Sequence, residues 1–157
     1  MAFDKAKQYL DEKGFGDRVL TFDVSSATVE LAAVAVGTEP EKICKSLTFK
    51  VNGTPVMVLF AGDAKVSNSK FKAHFKTKAT MLSREEVTLL IGHDVGGVCP
   101  FGINPGVDVY MDQSLRRFDT VYPACGNAAS AVRLSIHELE QLSSSKGWVD
   151  VSSIPEI

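Results

Sequence analysis

The sequence has few cysteines and no pattern among them. Cys44, Cys99 and Cys125 make three, an odd number, with no CxxC pair and no Cys/His spacing of the zinc type. A disulfide scaffold is excluded, no metal is expected, and a reduced, cytoplasmic setting is predicted. No apolar run reaches transmembrane length, so no membrane partner is expected. The N-terminal MAFDKAKQYLDEKG is polar and amphipathic and lacks the apolar centre of a signal peptide. Internal repeats and low-complexity tracts are absent. Excess positive charge is absent too: 17 Lys and Arg against 19 Asp and Glu leave a formal charge of −2. That argues against a strongly basic nucleic-acid binder and against a DNA partner, so any RNA contact must use a local patch. GxSxG, P-loop and HExxH motifs are missing, which removes the commonest serine-hydrolase, nucleotidase and zinc-protease readings.

What is present is a chain of 157 residues, 45% of them apolar, enough for one substantial core. Phe3 to Lys13 reads as a helix ended by Gly14, and Arg18 to Phe22 as a strand. Ser25 or Ser26 is expected to cap a helix running to Val36. Ile43 to Val51 and Pro55 to Ala61 read as strands joined at Asn52-Gly53, the strongest short hairpin signal. The second is so apolar that a mid-sheet place is expected. Ser67 caps a helix through Phe75, and Ser83-Arg84-Glu85-Glu86 has capping-box spacing before a helix ended by Gly92. Val107 to Met111, Thr120 to Ala124 and Ala131 to Leu134 read as strands. Gln113 to Arg117 is a helical turn, Ser135 or Ile136 to Leu142 is a helix, and Trp148 to Val151 closes the chain as an edge strand or tail. Strands come in runs with helices interspersed, so the expected fold class is α+β. The picture is a single domain with a mixed, curved, barrel-like sheet flanked by helices.

Three features carry chemistry. Gly96-Gly97-Val98-Cys99-Pro100-Phe101-Gly102 is a short apolar loop whose glycines admit ligand atoms close to the main chain. Its N–H groups suit a developing negative charge, as in an oxyanion hole, although a plain strand-to-loop bend has the same composition. Lys45 opens a strand that enters the core beside Cys44 and Leu47. It reads either as a solvated charge or as a half-buried ammonium able to hold a carbonyl or phosphate oxygen. Ala64 to Ser83 carries Lys65, Lys70, Lys72, Lys76 and Lys78 with no acidic residue, and Phe71, His74 and Phe75 are interleaved. That segment is either a phosphate-binding patch or a solvated helix face. Chemically, Cys99 could act as a nucleophile with His93 as base. It could also join Cys125 and a histidine around a metal. In the third alternative Lys45 and loop amides grip an ester while water attacks.

The runs Thr28 to Ala33, Glu41 to Leu47, Gly96 to Gly102 and Val121 to Gly126 together resemble the YbaK/prolyl-tRNA synthetase editing-domain family. The motifs fall in the family's order and span roughly residues 20 to 142. The resemblance implies one editing domain over residues 1–157 that hydrolyses mischarged aminoacyl-tRNA, often tRNA for proline carrying alanine or cysteine. It implies Lys45 as the key functional lysine and the loop Gly96 to Pro100 as presenter of main-chain donors. Ser46, Gly96, Gly97, Val98, Cys99, Pro100, Phe101, Gly126 and Asn127 become the expected substrate contacts. Lys70, Lys72, Lys76 and Lys78 are the expected tRNA contacts. No cofactor is expected, and an aminoacyl-tRNA synthetase is a candidate partner. Members often carry a Gly-Gly turn with a basic residue where this chain has Cys125-Gly126-Asn127-Ala128-Ala129-Ser130. Some also carry an acidic residue near Ala131. Those positions, with Ser46, bear on substrate choice.

Overall fold

A computed structural model describes residues 2–155. In chain order its elements are α1 (Ala2–Glu12), β1 (Val19–Thr21), α2 (Val29–Val36), β2 (Ile43–Val51), β3 (Thr54–Ala61), β4 (Lys65–Val66) and α3 (Asn68–Phe75). Then come α4 (Arg84–Glu86), β5 (Asp108–Asp112), β6 (Thr120–Pro123), β7 (Ser130–Val132), β8 (Leu134–Ser135), α5 (Ile136–Leu142), β9 (Trp148–Val149) and β10 (Ser152–Ser153). Six strands form one mixed, curved sheet in the order β8-β6-β2-β3-β5-β9. The expected α+β class is therefore observed.

The centre of the sheet is the β2–β3 hairpin, in register from Cys44↔Ala61 to Val51↔Thr54. Asn52 and Gly53 both take positive φ, 51° and 82°, the backbone that a two-residue turn between twisted strands demands. β3 then lies between β2 and β5 and is buried from Val56 onward, as its continuous apolar run predicts.

Strand alternation sorts the core onto two faces. Cys44, Met57, Leu59 and Ala61 point to the first, where they meet Ala6 and Leu10 of α1 and Leu139 and Leu142 of α5. Phe49, Val56, Val58 and Phe60 point to the second, under Phe71 of α3 and Val149 and Val151. Phe71 anchors α3 to the sheet through Phe49, their ring centres 4.7 Å apart, and packs on Phe75 of its own helix at 4.6 Å. Fully burying such a phenylalanine contributes about 2–3 kcal/mol.

Several local expectations shift by a few residues. The cap of α2 is Thr28, whose hydroxyl accepts from Leu31 N at 3.2 Å, not Ser25 or Ser26. Ser26 is diverted by a partner distant in sequence: its Oγ accepts from Ser130 N at 3.1 Å. The capping box at Ser83 forms, but its helix passes at once into a π-turn over Val87–Ile91 before Gly92. The closing segment splits: β9 pairs in parallel with β5, and β10 pairs with β4. Buried Asp112 explains the split, because it accepts from Val151 N at 2.9 Å and from Ser152 Oγ at 2.6 Å.

Candidate active site

One cavity of about 390 Å³ opens beside the outer edge of β2. Val29 and Ala32 of α2 form one wall, and Cys44 to Thr48 of β2 another. The loop residues Val95, Gly96 and Val98 face them. Tyr122, Ala124, Ser130 and Ala131 close one end, and Met81 and Leu82 the other. The lining is mostly apolar, and it contains no histidine or carboxylate.

Lys45 shares the second face of the sheet with Leu47 and Phe49, opposite Phe60. It is half-buried, and its Nζ donates to the carbonyl of Ala64. Burial pulls its pKa down, while the charges of Asp63 and Glu30 pull it back up. Asp63 itself is held by Arg117 through a two-pronged pair at 2.5 and 3.0 Å. An ammonium has three donors, so two remain for a ligand after Ala64.

The loop is shaped by contact with the second glycine turn. A Cβ on Gly97 would lie 2.4 Å from Asn127 N and 2.6 Å from the carbonyl carbon of Gly126, so nothing larger than glycine fits. Gly126 N–H donates to Gly97 O at 3.0 Å, and Gly97 N–H donates to Asp94 O at 3.1 Å. Gly97 is thus buried between two turns, its own donor spent. The amides of Gly96 and Val98, on the cavity wall, have no partner among the described residues.

The structure brings Lys45, Ser46, Gly96 and Val98 to one cavity. Gly97, Cys99, Pro100, Phe101, Gly126 and Asn127, the other expected contacts, lie off the wall of this cavity. Cys99 and Phe101 are fully buried in the core of the first face. Asn127 spends its Oδ1 on Ala129 N at 2.9 Å. A thiol nucleophile is also disfavoured. Burial drives the Cys99 thiol far up, and His93 Nε2, 3.5 Å from Sγ, donates to Phe101 O at 2.8 Å. A nitrogen already carrying that proton cannot accept the thiol's. Cys44 on the cavity side is no better, with its thiol pushed by burial up to about 12. No cluster of three or more His, Cys, Asp or Glu side chains among the described residues could hold a metal ion.

Ser26, Thr28 and Tyr122, which sequence reasoning misses, also line the cavity, as does Ser130. The signals were slight. Thr28 and Tyr122 sit inside motif runs, and Ser130 ends the run that departs from the family pattern. Of the four lysines expected at tRNA, Lys72, Lys76 and Lys78 are exposed without an ion-pair partner among the described residues. Lys70 is tied to Asp150 at 3.2 Å and to Ser152 O at 2.9 Å. The same segment continues into Thr80–Leu82, which pairs with β2 at the cavity rim. Among the described residues, no helix is long and apolar enough to cross a membrane.

Comparison with known proteins bears on the family and the fold. Residues 23–142 match the aminoacyl-tRNA editing domain family. The uncharacterized protein YwhH of Bacillus subtilis is 49% identical over 134 residues, 85% of each chain. The proline–tRNA ligase of Kosmotoga olearia is 36% identical over 90 residues, which are 57% of this chain and 16% of the ligase. A solved structure provisionally assigned as a trans-editing enzyme for prolyl tRNA synthetase superposes with a TM-score of 0.87 at 28% identity, covering 97% of both chains. With the family matched over most of its length and a lysine and a glycine loop on one cavity, the chain belongs to the aminoacyl-tRNA editing domain family.

Proposed function

We propose that this protein is a trans-editing hydrolase that removes a small amino acid from mischarged tRNA, with alanine or cysteine on tRNA for proline as the expected substrate. The observation that carries the reading is the joint presence of Lys45 and the unpaired amides of Gly96 and Val98 on one cavity. Water, assisted by a neighbouring hydroxyl of the terminal ribose that orients it and relays its proton, attacks the ester carbonyl. The bond to the ribose oxygen breaks, that oxygen takes a proton, and free amino acid and tRNA leave. The lining offers no thiolate, imidazole or carboxylate, so the protein's part is positioning and stabilisation of the oxyanion by donors. The names of the ligase and trans-editing relatives support the choice of proline tRNA.

The absence of a general base in the lining favours one rival, a module that binds the aminoacyl end without turnover. A panel of mischarged tRNAs separates the two. Release of amino acid, lost by about a hundredfold or more in Lys45→Ala with the fold retained, supports the deacylase. Binding without release supports the rival, and full activity in Lys45→Ala rejects the proposed role of the lysine.

A further inference from the structure

β2 is paired along its outer edge at both ends and open between them. At its start, Ile43 and Cys44 pair in parallel with Tyr122 and Pro123. Near its end, Lys50 N–H donates to Thr80 O at 2.8 Å and Leu82 N–H to Thr48 O at 3.1 Å, flanking a bridge from Phe49 to Met81. In a strand the N–H and C=O of one residue point the same way, and the direction alternates along the chain. Since Thr48 and Lys50 point outward, Ser46 points outward as well. Among the described residues its N–H and C=O have no hydrogen-bond partner, and neither has the N–H of Thr48. This open interval lies in the cavity wall. The Ser46 Oγ beside it is also buried without a partner. Buried main-chain groups are ordinarily paired, so an unpaired donor and acceptor side by side in a cavity point to a ligand that completes them.

The occupant follows from chemistry. An aminoacyl ester carries an N–H donor and a carbonyl acceptor on either side of one Cα. That is the main-chain unit of a single residue, and two such units facing each other in an antiparallel sheet exchange two hydrogen bonds. The geometry points to the aminoacyl group docking on Ser46 as a one-residue strand. Its α-ammonium donates to Ser46 O, and its carbonyl accepts from Ser46 N–H. Opposed residues project side chains to the same face, so the acyl side chain lies beside the Ser46 Oγ. Main-chain docking recognises the shared part of every amino acid and leaves selection to the walls. The inference rests on the aminoacyl-ester reading above and adds how that group is held.

The test is amide hydrogen exchange by NMR on the whole chain, with two stable adenosine amides. One carries 3′-alanylamino, and the other carries 3′-propionylamino and lacks only the α-amino group. At saturation the alanyl compound should slow exchange at Ser46 about tenfold or more, and the propionyl compound should bind about tenfold more weakly. Equal affinity for the two, unchanged exchange at Ser46 with the alanyl compound bound, or failure of the alanyl compound to bind overturns the docking mode. Deacylation of alanyl-tRNA, measured in parallel, keeps the two ideas apart. Hydrolysis with an unprotected Ser46 sinks the docking and spares the deacylase. Protection without hydrolysis does the reverse.

Discussion

Lys45 is half-buried on a strand whose neighbouring positions are apolar, and that position sets a pH dependence. Burial holds its pKa below the ordinary lysine value of 10.5, against the pull of Asp63 and Glu30. The ammonium exists below the pKa and is lost above it. If the ammonium holds the ligand, affinity for a stable aminoacyl-adenosine amide should fall as pH rises, with a midpoint under 10.5. Lys45→Arg keeps its charge throughout the alkaline range and should abolish that fall, whatever it does to affinity at neutral pH. Titration calorimetry across the range checks both. A flat affinity through the alkaline range in the native protein would show that the ammonium does not hold the ligand. The other residue read as reactive, Cys99, behaves in the opposite way: its burial leaves a neutral thiol packed in the core. Residue type and spacing left both open as reactive groups, and only the family resemblance singled out Lys45. What separates them is that Lys45 is half-buried on the cavity wall with its ammonium on the carbonyl of Ala64, whereas Cys99 is fully buried in its loop and the core.

At the scale of elements, local chemistry was legible and pairing across the chain was not. The Asn52-Gly53 hairpin, the Ser67 cap and the capping box at Ser83 depend on residues within four positions, and all stand where the sequence put them. The parallel pairings of β2 with β6 and β3 with β5 depend on segments about fifty or more residues apart, and no local pattern encodes them. The misplaced cap of α2 shows the same limit. Ser25, Ser26 and Thr28 are equally good caps by type, and the choice is made by Ser130, which takes Ser26. The candidate site inherits this. Lys45 and the glycine loop were readable as motifs, whereas the open edge at Ser46 exists only because β6 stops short and Thr80–Leu82 joins late. The cap gives a direct check. Thr28→Ala should cost about 1 kcal/mol in urea unfolding, whereas Ser25→Ala, at an exposed hydroxyl that only accepts from Ala27 N, should stay within about 0.5 kcal/mol. Equal costs would mean that α2 is held by packing on Ile43 and Tyr122 rather than by its cap.

For the molecule as a whole, a formal charge of −2 must be reconciled with the polyanionic partner proposed above. Uneven distribution does this. From Ala64 to Ser83 every charged side chain is basic or histidine, and the segment leads into the cavity rim through Thr80–Leu82. Lys72, Lys76 and Lys78 are exposed and lack ion-pair partners among the described residues, and we propose them as contacts for phosphates of an acceptor end seated in the cavity. Lys70 contributes less, because Asp150 and the carbonyl of Ser152 already hold its ammonium. Each phosphate contact adds about 0.7–0.9 to the slope of log affinity against log salt. Lys72→Glu with Lys76→Glu should therefore weaken tRNA binding and flatten that slope by about 2, while Lys70→Ala should change it by less than about 1. The readout is filter binding of charged tRNA at several salt concentrations. An unchanged slope in the double variant would reduce the lysine segment to a solvated face, and the tRNA body would have to be met elsewhere on an otherwise acidic surface.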